Sequence, residues 1–390
     1  MENSLKNNRP VVLVHGMFGF GPKELGDFNY WGSAFDAPSP LKRFEASVGP
    51  LSSAHDRACE LAAQIKGTIV DYGQTHSTAH GHHQFSADFT GRGFAPDWNE
   101  NNPIHLIGHS LGSQTCRCLQ FLLEQDYWGW GSNNHWICSL SALSGATNGS
   151  VAPYFFGADE QTGLMSRSDG IAPILRLLEL YTYLTGGLLD KIYDFDLSHW
   201  GYERQSGEDL VNYLKRVSKT RFLWESDNAI YSATLQGAYR DNGRWPTYPN
   251  TYYFSTITEQ TFPNWFNGHH YPSPLMNPAL YNTANYIGTK EFLQPPIPGD
   301  DFKNKEWWEN DGLVSTTSQM FPKTNGSHLV GGEFTKTTPI DHFKKGMWYY
   351  EWERGKDHGA ICVAPHWWQR NWQNHFYERL FSRLAALDIA

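Results

Sequence analysis

The chain has 390 residues, 40% of them hydrophobic and 18% charged, enough to build a large core and unlike a disordered sequence. A net charge of −9, with no lysine- or arginine-rich run, excludes the basic stripe of a nucleic-acid binder and gives no polybasic membrane signal. No run approaches the ~20 apolar residues that would span a bilayer. The first ten residues, M-E-N-S-L-K-N-N-R-P, hold no apolar signal core. Either the protein stays inside the cell or a signal peptide has been removed; the reading adopted is the second, an extracellular protein.

The elements follow in chain order. V-V-L-V at 11–14 is short, β-branched and closed by His15-Gly16, the pattern of a fully buried strand. T-I-V at 68–70 looks similar, as do I-H-L-I at 104–107, W-I-C-S-L at 136–140 and T-Y-Y-F at 251–254. Helical patterns lie between them; after Ser110, the side chains of Cys116, Leu119, Leu122 and Leu123 fall on one helical face. Strands alternating with helices predict an α/β fold with a mostly parallel central sheet covered on both sides. Two stretches break the rhythm. Residues 77–102 are rich in histidine and glycine, and residues 158–224 carry a markedly apolar helical stretch containing Ile174 and Leu180, followed by Gly186-Gly187-Leu188-Leu189. No internal repeat is present, and the whole of 1–390 reads as one domain with two insertions.

The segment from Asn102 to Gly112 carries the most information. It runs from a buried strand into Gly108-His109-Ser110-Leu111-Gly112 and then into an amphipathic helix. G-x-S-x-G in that setting predicts a nucleophile elbow, where small residues two before and two after the serine let strand and helix approach. The plain alternative is a glycine-flanked turn serine. His15-Gly16-Met17 after the first strand predicts that the Met17 and Leu111 backbone N–H groups form an oxyanion hole. An acid and a histidine must follow in that order. Asp311, in E-N-D-G-L-V, stands at a turn beside an apolar run and is preferred to Asp300 and Asp301 in a Pro/Gly-rich loop. His358 precedes the C-terminal helix and leads His342 as the base.

Five cysteines without regular spacing, Cys59, Cys116, Cys118, Cys138 and Cys362, exclude a disulfide framework and leave room for one or two bridges at most. They form no zinc-type C-x-x-C pair. Aromatic residues reach 15%, which reads as a large aromatic core or as an apolar surface that meets substrate.

These stretches resemble the large bacterial lipases of the thermoalkalophilic and staphylococcal type, nearly end to end. The resemblance rests on V-L-V-H-G near the start, V-G-P-L-S-S-x-x-D-R-A-C-E at 48–60 and V-D-Y-G-x-x-H at 70–76. It continues through H-G-H at 80–82, I-H-L-I-G-H-S-L-G-S-Q-T at 104–115, N-T-Y-Y-F-S at 250–255 and E-N-D-G-L-V at 309–314. It implies an α/β-hydrolase fold, the triad Ser110, Asp311 and His358, and a helical lid at 158–224 over an acyl pocket. It also implies a structural zinc on Asp56, His76 and His82, within the histidine-rich insertion that 56–76 and 77–102 make up.

Three departures qualify it. The first elbow residue, often alanine in such lipases, is Gly108. Their calcium-binding acids are replaced by Ala360 and Ala364 ahead of Pro365, so no calcium is expected there. Their fourth zinc ligand falls on Ser232, which leaves a water, Asp227 after a local shift, or another group to complete the shell. The function implied is carboxylic ester hydrolysis at a lipid or polymer interface, on acylglycerols and extending to polyesters. The alternatives are hydrolysis of an amide or thioester, and a catalytically silent scaffold.

Overall fold

A computed structural model describes all residues except 1–4, 23, 25–28, 167–174, 177–194, 298–301, 325–328, 363–368 and 390. Ile174 and Leu180, Gly186–Leu189, Asp300, Asp301, Ala364 and Pro365 therefore lie outside the described residues.

Strands β1 (Val11–Val14), β2 (Arg43–Ala46), β5 (Ile104–His109), β6 (Ile137–Leu143), β7 (Tyr252–Glu259), β10 (Leu329–Glu333) and β11 (Met347–Arg354) form one seven-stranded sheet. Its order is β10-β11-β7-β6-β5-β1-β2, and every neighbouring pair is parallel. The β-branched run of β1 suits this central place because both its faces are covered. Val11 and Leu13 enter one core with Phe376, Leu380 and Leu384 of the C-terminal helix Arg370–Ala386. Val12 and Val14 enter the other, with Ala58, Leu61 and Ile65 of helix α1 (Ala54–Lys66) and Leu119 and Leu122 of helix α3 (Gly112–Glu124). The apolar face expected after Ser110 is the face α3 buries.

One expected strand has a different place. Ile69–Asp71 (β3) does not join the main sheet; it pairs antiparallel with β4 (Phe85–Asp88) in a separate two-stranded ribbon. Ile69 is 48% exposed, so the short β-branched run marks a strand but not a fully buried one. Helix α2 (Gln74–His80) connects the two strands. This ribbon unit is the histidine-rich insertion. A second ribbon, β8 (Thr261–Pro263) with β9 (His270–Pro272), follows β7 directly.

Candidate active site and metal site

The site lies at the carboxyl ends of the parallel strands, where open α/β sheets place their ligands. Ser110 sits between β5 and α3 with φ +55, a left-handed conformation that few non-glycine residues adopt. The turn is held by Ser110 N–H donating to Leu143 O at 3.0 Å and by Ser113 N–H and Oγ donating back to Ser110 O. Close approach explains the glycines. A Cβ on Gly112 would stand 2.1 Å from Val14 O, and one on Gly108 2.5 Å from the Gly112 carbonyl. As packed here, even alanine at 108 requires backbone movement.

Asp311 is buried and makes a dense set of bonds. Its Oδ1 accepts from Leu313 N–H and Val314 N–H at 3.0 and 2.8 Å, which explains the acid at the head of D-G-L-V. Its Oδ2 faces His358 Nδ1 at 2.8 Å and accepts from Thr258 Oγ1 at 2.8 Å and Gln319 Nε2 at 3.2 Å. His358 N–H also donates to Asp311 O at 2.8 Å. The imidazole is thus oriented by one contact to a carboxylate that four other bonds hold in place. The rival histidine, His342, instead packs on Phe343 and Tyr349 away from Ser110.

Ser110 and His358 line a largely apolar cleft, with Met17, Leu111, Phe156, Ile230, Leu280 and Leu313 in its walls. Among the described residues, the N–H groups of Met17 and Leu111 donate no hydrogen bond. The loop carrying Met17 is braced from behind. His15, whose pKa burial and the neighbouring Arg57 lower to about 3, accepts from Val48 N–H through Nε2 and donates from Nδ1 to Gly16 O. Gly16 N–H donates to Tyr30 Oη at 2.9 Å, and Tyr30 Oη–H donates to His109 Nδ1 at 2.6 Å. His109 Nε2–H donates to His358 O at 3.1 Å. Burial, with His358 nearby, holds His109 well below its ordinary pKa, consistent with this neutral tautomer. One chain of bonds therefore joins the Met17 loop, the elbow and the His358 loop.

The histidine-rich insertion meets the body at a second cluster. Asp56 of α1, His76 of α2, His82 and Asp227 each offer one donor atom, and the four lie within 4.8 Å of one another. His76 Nε2 is 3.0 Å from Asp56 Oδ1 and 3.3 Å from Asp227 Oδ2; His82 Nε2 is 3.9 and 3.5 Å from the same oxygens. Four ligands at ~2.0–2.1 Å from a tetrahedral centre would stand ~3.3 Å apart, so the spacing suits a small ion. His76 Nε2, His82 Nε2 and Asp227 Oδ2 are buried without a hydrogen-bonding partner in good geometry, which is costly unless something binds between them. Two of these residues are also engaged through their other atom. His82 Nδ1 bonds His83 O at 2.8 Å, and Asp56 Oδ2 meets His199 Nε2 at 3.2 Å. Such outer contacts orient metal ligands. Burial lowers the pKa of His76, but the facing carboxylates outweigh it and raise it to about 10. A metal ion would have to displace that proton. The residues present fit a metal ion. Ser232 is engaged elsewhere, its Oγ accepting from Ala54 N–H at 3.2 Å at the start of α1.

The family profile described as "Lipase-like, C-terminal domain" matches residues 7–364. The chain belongs to this family. It is 32% identical over 341 residues to the lipase of Staphylococcus hyicus, covering 81% of this chain and 48% of that protein. With the lipase of Staphylococcus epidermidis it shares 30% identity over 374 residues, 89% of this chain and 48% of that protein. The chain thus spans about half the length of these curated relatives. Among solved structures, EstA from Clostridium botulinum superposes with a TM-score of 0.80 and 30% identity, covering 99% of this chain and 89% of that one. Staphylococcus hyicus lipase superposes at 0.75 with 27% identity, covering 97% and 96%. The α/β fold expected from the strand pattern is the fold these structures share.

Several groups of this lipase-like chain had no signal in the sequence. Thr258, Gln319, Tyr30 and His199 reach their partners across 53, 8, 79 and 143 residues. Of these, only Gln319 lay near a residue already singled out, and helix Thr316–Met320 turns it back onto Asp311. His199 could have been sought as one more histidine to set beside Asp56.

Proposed function

We propose that the chain is a carboxylic ester hydrolase that works through Ser110, His358 and Asp311. The observation that carries this reading is the buried Asp311 carboxylate 2.8 Å from His358, a histidine lining the same apolar cleft as a serine held at φ +55. His358 Nε2 takes the proton of Ser110 Oγ as that oxygen attacks the ester carbonyl, and Asp311 stabilises the resulting imidazolium. Met17 and Leu111 N–H groups receive the oxyanion, each contributing roughly 10²–10³ in rate. The imidazolium protonates the leaving alcohol, and His358 then activates water to cleave the acyl-enzyme.

The apolar cleft and the printed names of the two curated relatives, both lipases, favour acylglycerols and other fatty esters. Aliphatic and aromatic polyesters belong to the same proposal, as does action outside the cell. So does a lid within 158–224; from that insertion Phe195 packs edge-on to Phe18, a wall residue of the cleft, with ring centroids 6.0 Å apart. Among the described residues no helix is long and apolar enough to cross a membrane.

Zinc is the ion proposed for the second cluster, held by Asp56, His76, His82 and Asp227, since two imidazoles and two carboxylates suit it. With every position filled by protein, it would supply a structural tie and no activated water. For calcium, Ala360 offers no side-chain oxygen.

The test is labelling by a fluorophosphonate together with turnover of p-nitrophenyl butyrate. The wild type should do both and Ser110→Ala neither, with the fold retained. Turnover by purified Ser110→Ala at more than a few per cent of wild type would overturn the assignment, and preference for anilide over ester would favour the amidase alternative.

A further inference from the structure

The β8–β9 ribbon carries Trp265 and Phe266 at its tip, 98% and 99% exposed. Apolar side chains of this size are rarely presented whole to water without a use. The turn that carries them is ordered. Asn264 N–H donates to His269 O at 2.7 Å, and Gly268 N–H to Asn264 O at 2.8 Å with Gly268 at φ +74. Asn264 Oδ1 accepts from Phe266 N–H at 2.9 Å, and Asn267 Oδ1 from His269 N–H at 3.0 Å. Little backbone freedom remains to be lost when the two rings meet a partner.

The ribbon is also fixed to the active-site wall. Gln260 N–H donates to Asn310 O and Asn310 N–H to Thr261 Oγ1, both at 3.2 Å, so its root is bonded to the residue before Asp311. Helix Tyr281–Thr289 packs on β9 so closely that a Cβ on Gly288 would stand 1.9 Å from His270 O. At the foot, Leu275 is 64% exposed, while the next residue, Met276, packs on Leu280 of the cleft wall. Exposed apolar side chains therefore occur at both the tip and the foot of the ribbon, and the foot adjoins the cleft wall.

Charge selects the partner. From Thr261 to Pro272 the sequence T-F-P-N-W-F-N-G-H-H-Y-P holds no lysine, arginine, aspartate or glutamate, and burial lowers the pKa of His270, favouring its neutral form. The segment itself thus carries no lysine, arginine or carboxylate into an apolar phase, and the carboxylate of Glu291 faces His269 at 3.6 Å. The chain as a whole carries −9, which disfavours an anionic surface.

We propose that Trp265 and Phe266 form an interfacial anchor that docks the enzyme onto an uncharged, water-insoluble ester phase, with the cleft beside it. This rests on the proposed ester hydrolysis for its substrate and on the ribbon alone for its adsorption. The experiment compares wild type with Trp265→Ser/Phe266→Ser and with the conservative Trp265→Phe/Phe266→Leu. Adsorption to tributyrin droplets is read by depletion from the aqueous phase, and turnover of dissolved p-nitrophenyl acetate is measured on the same samples. The serine pair should lower adsorption and droplet turnover by about tenfold or more, because two buried aromatic side chains contribute that much affinity. Dissolved-ester turnover should stay within about twofold, and the conservative pair should retain adsorption. Unchanged adsorption by the serine pair would overturn the anchor. So would stronger wild-type adsorption to phosphatidylglycerol vesicles than to droplets, or a wild-type dimer that the serine pair dissociates, which would assign the tip to a second copy of the chain. Wild type that adsorbs but turns over no dissolved ester would refute the hydrolase reading and leave the anchor standing.

Discussion

His82→Ala, measured with and without metal, separates an ion site from a mere cluster of buried polar groups. The imidazole is fully buried, packed against Tyr72 and Trp200 at ring distances of 5.4 and 4.9 Å. Its removal costs about 3 kcal/mol through the cavity alone, in either medium. The metal contribution is separate. With free zinc at ~100 times its Kd, a native-state ion adds about 2.7 kcal/mol. An unfolding entropy of ~2 cal/mol/K per residue over 390 residues makes this a Tm change of about 3 °C. Four scans by differential scanning calorimetry complete the cycle: wild type and His82→Ala, each in excess zinc and in a chelator. Wild type should lose about 3 °C on chelation, and the variant, already lower by about 4 °C from its cavity, should lose almost nothing more. The cavity cost cancels in the difference, so the coupling measures the ion. A wild-type Tm identical in zinc and chelator, or a variant that gains as much from zinc as wild type does, would refute the site.

Three further predictions use other parts of the molecule. Asp311→Asn should lower kcat for p-nitrophenyl butyrate by about 10⁴ with the fold intact, because an amide nitrogen facing His358 would impose the wrong tautomer; a loss under tenfold would argue against Asp311 as the orienting acid. Tyr30→Phe breaks the link between Gly16 and His109 and leaves Gly16 N–H unpaired, which should cost about 1–3 kcal/mol in chemical denaturation and reduce kcat more than it changes KM. Glu60, buried near Asp196, is raised from 4.5 to about 8 by burial first and by that carboxylate next. The folded state thus keeps a proton that the unfolded chain releases, so stability should fall as pH rises from 4.5 towards about 8; Glu60→Gln should flatten that slope in urea titrations, and an unchanged slope would refute the assignment.

What the sequence made legible was local. The step from β5 through Ser110 into α3 is one continuous pattern, because a buried strand, an elbow and an amphipathic helix each impose their own spacing. Asp311 announced itself through the turn it caps, with Leu313 and Val314 N–H groups on its Oδ1. The strands β2, β10 and β11 were not singled out: R-F-E-A and L-V-G-G-E are not apolar runs, and M-W-Y-Y-E-W-E-R mixes charge with aromatics. Burial in β11 is made by neighbours distant in sequence, with Glu351 and Glu353 matched by Arg383 and Arg379 of the C-terminal helix. Asp227 stood open as one of several groups beside Ser232, because a shift of five positions along a loop is invisible until the backbone places the carboxylate opposite His76 and His82.

The order in which the four metal-facing residues are synthesised has a consequence of its own. Asp56, His76 and His82 lie in the first quarter of the chain, whereas Asp227 follows the insertion at 158–224. An ion held by all four would be a clasp on the whole intervening loop, which includes Ser110. Cross-links across ~100 residues remove on the order of 4–5 kcal/mol of disorder from the unfolded chain. During synthesis the clasp stays open until Asp227 has emerged, so a nascent or clipped chain ending earlier carries Ser110 on a sheet that also lacks β7, β10 and β11.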